Sequence, residues 1–212
     1  MDLSLPLATI TPTLDAGVLH VLAATTGWCT AAEVHRRLRR GSDEGVRKVL
    51  ARLVAQGVVL VDRPGRYPVY LLNREHLAVH HIVALTRLRA QIVEKIGIEL
   101  ASWGVAPLHA SLFGSFARDE ADTDSDIDVL LVRPAELDDA SEDGWLDQLG
   151  RLDRRIRAWT GNAAQILDAT AATLAQMARE HDPLIDSLRA DDVHLYGERL
   201  RDLLRGPASS TT

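Results

Sequence analysis

The sequence is poor in cysteine and in long apolar runs. Its single cysteine, Cys29, excludes an intramolecular disulfide. No apolar run approaches the ~20 residues that a membrane-spanning helix needs, and the amino terminus lacks the charged-then-apolar layout of a signal peptide. We therefore expect a protein without a membrane partner, located in the cytoplasm.

The chain also lacks an overall excess of positive charge, because its formal net charge is −6 over 212 residues. The charge is unevenly distributed. Residues 1–80 contain 10 Lys and Arg against 7 Asp and Glu, net +3, which leaves 14 against 23 for residues 81–212, net −9. A basic first part suits nucleic acid and an acidic second part suits cations. Two domains with different roles are predicted.

Three helices followed by two strands are predicted in the first part. The first helix ends at Gly27, and Thr30 with Glu33 fits a capping box at the start of the second. Ser42 can cap the third helix, DEGVRKVLARLVAQG, whose apolar residues form one stripe. The segments VVLVD, RPGR and YPVYLLN then read as a strand, a tight turn and a return strand.

This order of elements, over Thr11–Asn73, resembles the winged helix-turn-helix domains of bacterial MarR-like and ArsR-like proteins. The resemblance implies that the third helix enters the major groove of double-stranded DNA and that the hairpin touches the backbone or minor groove. It assigns DNA contacts to polar residues of the third helix and the hairpin turn: Ser42, Arg47, Lys48, Arg52, Arg63 and Arg66. The alternative for the helix residues is an ordinary solvated face.

Between the two predicted domains, apolar residues keep helical spacing over residues 74–103. They are Leu85, Leu88, Ile92, Ile96 and Leu100. We expect one long helix that joins the domains or packs in a dimer. The predicted division is a winged helix at 1–75, a linker or dimerisation helix at 76–104, a second domain at 105–205 and a disordered tail at 206–212.

The second part alternates strands and helices, so the predicted fold class is α+β with a mixed sheet flanked by helices. From Leu108 we predict a strand, a Gly-Ser turn, a short helix, an acidic loop and the strand IDVLLV. The segment RPAELDDASEDG reads as a loop and WLDQLGRLDRRIRAWTG as a helix. AAQILDAT is a strand, two helices follow, and VHLYG is the last strand.

Asp126 and Asp128 stand at the start of the apolar run IDVLLV, although a buried strand normally excludes carboxylates. Side chains two apart on a strand share a face, and neighbouring carboxylates repel unless a cation or proton intervenes. Mg²⁺ or Mn²⁺ suits such oxygen ligands, and Mg²⁺ is usually held by one or two carboxylates plus substrate phosphates. The alternative is a helix cap or a solubilising loop.

Gly114 and Ser115 precede Asp126 by a spacer of ten residues. Glycine lets the backbone approach an anion closely, and the N–H groups and hydroxyl at Ser115, at the start of a helix, can hold a phosphate. Arg118 adds positive charge one turn later. A plain turn is the alternative. A phosphate grip beside metal-binding aspartates is what nucleotidyl transfer requires.

The pattern Gly-Ser, ten residues, Asp-x-Asp resembles the signature of the DNA polymerase β-like nucleotidyltransferases, especially their minimal (MNT) members, over residues 105–204. The resemblance implies that Gly114 and Ser115 bind a nucleoside triphosphate and that Asp126 and Asp128 bind the metal. It also implies a third carboxylate on a later strand. Asp168, at the end of AAQILDAT, is the natural candidate as metal ligand or base, with a helix cap as the alternative.

These observations predict an Mg²⁺-dependent nucleotidyltransferase that moves a nucleoside monophosphate from an NTP to a hydroxyl, fused to a DNA-binding domain. The acceptor is a protein, an RNA end or a small molecule. One alternative is a transcriptional regulator that senses a nucleotide without turnover. Another is an MNT-type antitoxin with a HEPN-type toxin as partner. A homodimer would suit a palindromic DNA site.

Overall fold

The computed structural model describes residues 1–205, so the predicted tail at 206–212 lies outside the described residues. The chain forms two compact units. The first consists of Ser4–Arg89 with Asp2, and the second begins at Ala90 and includes Met1 and Leu3. Within residues 1–205, no helix is both long and apolar enough to cross a membrane.

The first unit contains the predicted order of three helices and a hairpin. A 3₁₀ helix precedes them, and a short strand, which was not predicted, lies before the second helix. The elements are the 3₁₀ helix Pro6–Thr9, α1 Leu14–Ala23, β1 Cys29–Thr30, α2 Ala31–Leu38, α3 Asp43–Ala55, β2 Val59–Asp62, β3 Val69–Leu72 and α4 Val79–Thr86. The strands form an antiparallel sheet in the order β1-β3-β2.

Capping side chains begin α2 and α3 where the sequence predicts them. The Glu33 carboxylate accepts a hydrogen bond from the Thr30 backbone N–H at 2.7 Å, while the Thr30 hydroxyl accepts one from the Glu33 N–H at 3.3 Å. The Ser42 hydroxyl accepts one from the Gly45 N–H at 3.0 Å. Below them, the apolar faces of α1, α2 and α3 meet in one buried core that includes Val34 and Leu50.

The predicted single helix over residues 74–103 is wrong. Its place is taken by α4 and by α5, Leu88–Ala101, which are separated at Arg87. There the backbone N–H of Arg87 donates to the carbonyl of Ala84, three residues earlier, at 3.1 Å, which interrupts the α-helical pattern. The apolar spacing continues through the break, but α4 belongs to the first unit and α5 almost entirely to the second.

The second unit contains a four-stranded mixed sheet, as predicted. Its elements after α5 are β4 His109–Phe113, α6 Gly114–Ala117, β5 Ile127–Arg133, α7 Asp139–Thr160, β6 Ala164–Thr170, α8 Ala171–Arg179, α9 Pro183–Asp191, β7 Val193–Gly197 and α10 Leu200–Leu203. The strand order is β6-β5-β4-β7, with β5 and β6 parallel and the other two pairs antiparallel.

The sheet separates two buried clusters, because alternate residues of β5 point to opposite faces. Val129 and Leu131 belong to the cluster with α5 and with Trp145 of α7. Leu130 and Val132 belong to the cluster with α8 and α9. We call these the α5/α7 face and the α8/α9 face.

The predicted loop RPAELDDASEDG is wrong in its second half, because α7 already begins at Asp139. The Asp138 carboxylate accepts a hydrogen bond from the Ser141 N–H at 2.8 Å and so caps the helix. Asp139 and Glu142 lie in the first turn, where negative charge favours a helix. The acids that suggested a solvated loop are therefore the start of the helix.

Candidate active site

Gly114 joins the end of β4 to α6 and lies against the carboxylate of Asp128. Phe113 is the register partner of Asp128 in the antiparallel pair β4–β5, which brings the turn beside β5. Gly114 has φ of +68°, a conformation that favours glycine, and a Cβ there would collide with the Asp128 side chain. The two halves of the predicted motif, ten residues apart in sequence, are thus in contact.

Asp126 is exposed just before β5, and Asp128 is half-buried within it. Burial, reinforced by the negative charge of Asp126, raises the pKa of the Asp128 carboxyl above its usual value, while Arg118 acts in the opposite direction. The two carboxylates are therefore close enough to repel each other. A bound cation would relieve both the repulsion and the cost of burial.

The acidic loop before Asp126 is held by specific hydrogen bonds. The Asp122 carboxylate accepts from the Asp124 N–H at 3.0 Å and from the Ser125 hydroxyl at 2.8 Å. The buried Asn162 side chain donates to the backbone carbonyls of Ser125 at 2.9 Å and Asp122 at 3.2 Å. Asn162 was missed by sequence reasoning, because nothing in the sequence shows that its loop approaches this one.

The predicted phosphate site lies at the start of α6, a helix of only four residues. The dipole of this helix is correspondingly small. What remains at Ser115 is a half-buried hydroxyl and backbone N–H groups in a tight turn with a positive-φ glycine. Such turns can form an anion-binding concavity from successive N–H groups.

Arg118, the third predicted nucleotide contact, makes ion pairs with acidic side chains nearby. Its Nε donates to Glu120 at 2.9 Å and its Nη1 to Asp191 at 2.5 Å. The guanidinium is about half exposed, with a side-chain relative exposure of 45%. It therefore lies at the edge of the site with its charge partly balanced by α9.

The structure contradicts the predicted convergence of Asp168 with Asp126 and Asp128. Asp168 is the register partner of Leu131, so its side chain lies on the α5/α7 face, whereas Asp128 lies on the α8/α9 face. Its carboxylate accepts a hydrogen bond from the indole N–H of Trp145 at 3.2 Å. Asp168 therefore cannot share a ligand with the other two aspartates in this arrangement.

The residue of β6 that does neighbour Asp128 is Gln165. The two are register partners in the parallel pair β5–β6, so their side chains are adjacent on the same face. Gln165 is exposed. Sequence reasoning missed it because an acidic residue was sought, and Asp168 was the only one in the strand.

Residues 99–169 match the family model of the nucleotidyltransferase domain. The matched segment runs from the end of α5 through β6 and contains the Gly-Ser turn, both aspartates of the motif and Gln165. It supports the predicted nucleotidyltransferase domain, and with it a transferase. No curated protein gives a significant match to the chain.

Among the described residues 1–205, the donor set at Asp126 and Asp128 fits one divalent cation better than two. No group of three or more His, Cys, Asp or Glu is placed to hold a metal anywhere in residues 1–205. Asp126 and Asp128 supply two carboxylates, and Mg²⁺ bound by one or two carboxylates completes its shell with water and substrate phosphates. The site therefore suits an ion shared with a triphosphate.

In the first unit, the predicted DNA contacts fall into three groups. Arg47 and Lys48 are exposed on α3 and pair with acids one turn earlier, Asp43 and Glu44, each at 2.7 Å. Such exposed pairs are weak, typically ~0.3–0.5 kcal/mol, so both cations remain available to another anion. Of the three basic side chains of α3 that were predicted to contact DNA, Arg47 and Lys48 thus lie on an open surface.

The remaining basic side chain of α3, Arg52, is ion-paired with Asp15 of α1, and Ser42 is used as the N-cap. Arg63 and Arg66 are exposed in the turn between β2 and β3. A cavity of about 270 Å³ is lined by Arg47 of α3, by Tyr67, Pro68 and Tyr70 of the hairpin region and by residues 30–32. The third helix and the hairpin therefore border one concave surface.

Proposed function

We propose that the second unit binds a nucleoside triphosphate with Mg²⁺ or Mn²⁺ and transfers its nucleoside monophosphate to a hydroxyl acceptor. The observation that carries this proposal is the contact between Gly114 and Asp128, which puts the Gly-Ser turn directly beside two carboxylates that repel each other. Ser115 and the turn N–H groups would hold the triphosphate, and Arg118 would add positive charge at its edge.

In the proposed reaction, the acceptor oxygen attacks the α-phosphorus, and the bond from that phosphorus to the oxygen bridging to the β-phosphate breaks. Pyrophosphate leaves with the electron pair, and the acceptor proton passes to solvent or to a basic group of the acceptor. The cation would lower the charge on the phosphates and position them. Asp126 and Asp128 would bind that cation, so neither acts as the base.

The test is pyrophosphate release from each NTP with Mg²⁺, in the presence of RNA, protein or small-molecule hydroxyl acceptors. Asp126→Ala with Asp128→Ala should abolish the release. The matched control is Asp168→Asn, which removes a carboxylate of the same chain from the opposite face of the sheet and should leave the release within about twofold of the unmodified protein. Activity that survives the double substitution would exclude these ligands.

We further propose that the first unit is a winged helix that binds double-stranded DNA through α3 and the β2–β3 hairpin. The support is the concave surface shared by Arg47 and the hairpin, together with the exposure of Lys48 on α3 and of Arg63 and Arg66 in the turn between β2 and β3. Each lost phosphate contact should lower the salt dependence of binding by about one unit of slope. Arg47→Ala and Arg63→Ala should therefore weaken DNA binding more at low salt, while Arg74→Ala, outside both elements, serves as control.

A second candidate function is nucleotide sensing without turnover, and the position of Asp168 specifically favours it. A nucleotidyltransferase site without its third carboxylate can keep nucleotide binding and lose transfer. On this proposal, DNA binding changes when NTP and Mg²⁺ are added, whereas no pyrophosphate appears with any acceptor. Measuring both in the same preparation separates the two functions.

A further inference from the structure

The side chain adjacent to Asp128 on the neighbouring strand is uncharged. Asp128 and Gln165 are register partners, and neighbouring strands lie about 4.8 Å apart. A side chain at 165 is therefore within reach of an ion bound by the Asp128 carboxylate. On the same face, Gln165 is followed by Leu167 and is preceded by Ala163, which lies just before β6. Neither of these two residues has a side chain that can ligate a cation.

The ligand at this position decides how many cations the site can hold. Asp126 and Asp128 supply two carboxylates, which are enough to bind one divalent cation together with substrate phosphates. A glutamine amide has no charge to add. A third carboxylate at 165 would supply the additional protein ligand that a second cation needs, as in sites with two metal ions about 3.5–4 Å apart.

We propose that Gln165 limits this site to a single divalent cation, the one that Asp126 and Asp128 share with the triphosphate. The inference rests on the proposed binding of a metal–triphosphate at Gly114 and Asp128 but not on turnover. Replacing the Gln165 amide by a carboxylate of the same shape creates the missing ligand. Gln165 thus determines how many metal ions the site binds.

The experiment counts bound Mn²⁺ by electron paramagnetic resonance, with the non-hydrolysable α,β-methylene analogues of ATP and GTP present at saturation. The unmodified protein should bind one Mn²⁺ per chain. Gln165→Glu should bind two, with the spectral broadening that two nearby Mn²⁺ ions produce. Because Gln165 is exposed and the change keeps its size, the variant should fold, which circular dichroism and thermal unfolding check.

Two further variants make the outcome decisive. Gln165→Asp tests a shorter carboxylate, and Gln91→Glu adds the same charge on the exposed surface of α5 and should leave the count at one. Two ions in the unmodified protein, or one ion in both Gln165 variants, would overturn the inference. A different outcome would overturn the proposed nucleotide site itself, and the inference with it. In that outcome, the unmodified protein binds no Mn²⁺ that is lost on substitution of Asp126 and Asp128.

Discussion

The two faces of the second unit's sheet hold aspartates in opposite situations. On the α8/α9 face, Asp128 is half-buried beside another carboxylate, and its pKa is raised by burial and by Asp126. On the α5/α7 face, Asp168 is exposed and accepts a hydrogen bond from the buried Trp145. The position of Asp128 therefore lowers the stability of the fold, whereas the hydrogen bond of Asp168 raises it.

This difference separates a candidate binding position from a structural one within one small sheet. A carboxylate kept where it is electrostatically unfavourable indicates a ligand that compensates it, whereas a satisfied carboxylate needs none. A shift of three residues along β6, from Gln165 to Asp168, changes both the distance to Asp128 and the face. Substitutions on each face should therefore move binding and stability separately.

The largest effect is expected from Gly114→Val. The new side chain would have to adopt a positive φ and would collide with the Asp128 carboxylate. The conformation alone costs ~1–2 kcal/mol for a residue that is not glycine, and displacing the Asp128 carboxylate would remove a proposed metal ligand. Urea unfolding should show lower stability, and binding of Mn²⁺ with the α,β-methylene nucleotide should fall at least tenfold.

Gly104→Ala is the matched control for this change. Its added Cβ would meet the Gln148 side chain at 3.7 Å, an ordinary contact, and Gly104 has no positive φ. Nucleotide binding should therefore stay within about twofold. If Gly114→Val bound nucleotide as well as this control, Asp128 and the Gly-Ser turn would not form one site.

The next largest effect is that Asp128→Asn and Asp168→Ala should change stability and nucleotide binding in opposite ways. Asp128→Asn removes a half-buried charge that Asp126 repels, so stability should stay constant or rise, while Mn²⁺–nucleotide binding is lost. Asp168→Ala leaves the indole N–H of the buried Trp145 without its partner, which costs ~1–3 kcal/mol. Its nucleotide binding should not change. Thermal unfolding and a fluorescence titration measure the two quantities.

The reverse outcome for this pair would place the site on the other face. Loss of binding in Asp168→Ala, in protein that remains folded, would show that the carboxylate reaches the nucleotide. Asp168→Asn tests the hydrogen bond itself, because the amide oxygen can still accept from Trp145. Its stability should lie between those of the unmodified protein and Asp168→Ala.

The local part of this site was predictable from sequence, and the cross-strand part was not. Gly114, Ser115, Asp126 and Asp128 lie within fifteen residues, and a turn followed by a strand brings them together. The capping box at Thr30 was predictable for the same reason, since its partners are three residues apart.

The position of β6 against β5 depends on a register that no single segment encodes. Asp168 satisfied every sequence criterion for a third carboxylate, yet the pairing Asp128–Gln165 excludes it. The break at Arg87 was missed for a related reason, because helical spacing continues across it while the two halves bury their apolar residues in different cores. In both cases the decisive contacts are distant in sequence.

The smallest expected effect concerns His109, which lies on the α8/α9 face at the opposite end of β4 from Gly114. Its Nδ1–H donates to the carbonyl of Glu198 at 2.7 Å, and its Nε2 lies 3.0 Å from the Ser111 hydroxyl. Burial lowers the pKa of His109, opposed by the Glu198 carbonyl and Asp192, while His194 and Arg199 lower it further.

Because the pKa of His109 is lower in the folded protein than in the unfolded chain, the unfolded chain binds the proton more readily. The stabilisation is complete above the unfolded pKa of about 6.5 and is lost as the pH falls from there towards the lower pKa of the folded state. The free energy of unfolding, measured in urea at pH 7.5 and pH 5.5, should therefore decrease at the lower pH. His194, whose pKa is also lowered by burial, contributes in the same direction.

His109→Gln should reduce this pH dependence, because a neutral amide can still donate to the Glu198 carbonyl but cannot titrate. The remaining slope should shrink further in His109→Gln with His194→Gln. Nucleotide binding near neutral pH should be the same in all of these proteins, since His109 is at the far end of β4 from the Gly-Ser turn. If the double variant kept the pH dependence of the unmodified protein, His109 and His194 would not be the groups that make the protein less stable in acid.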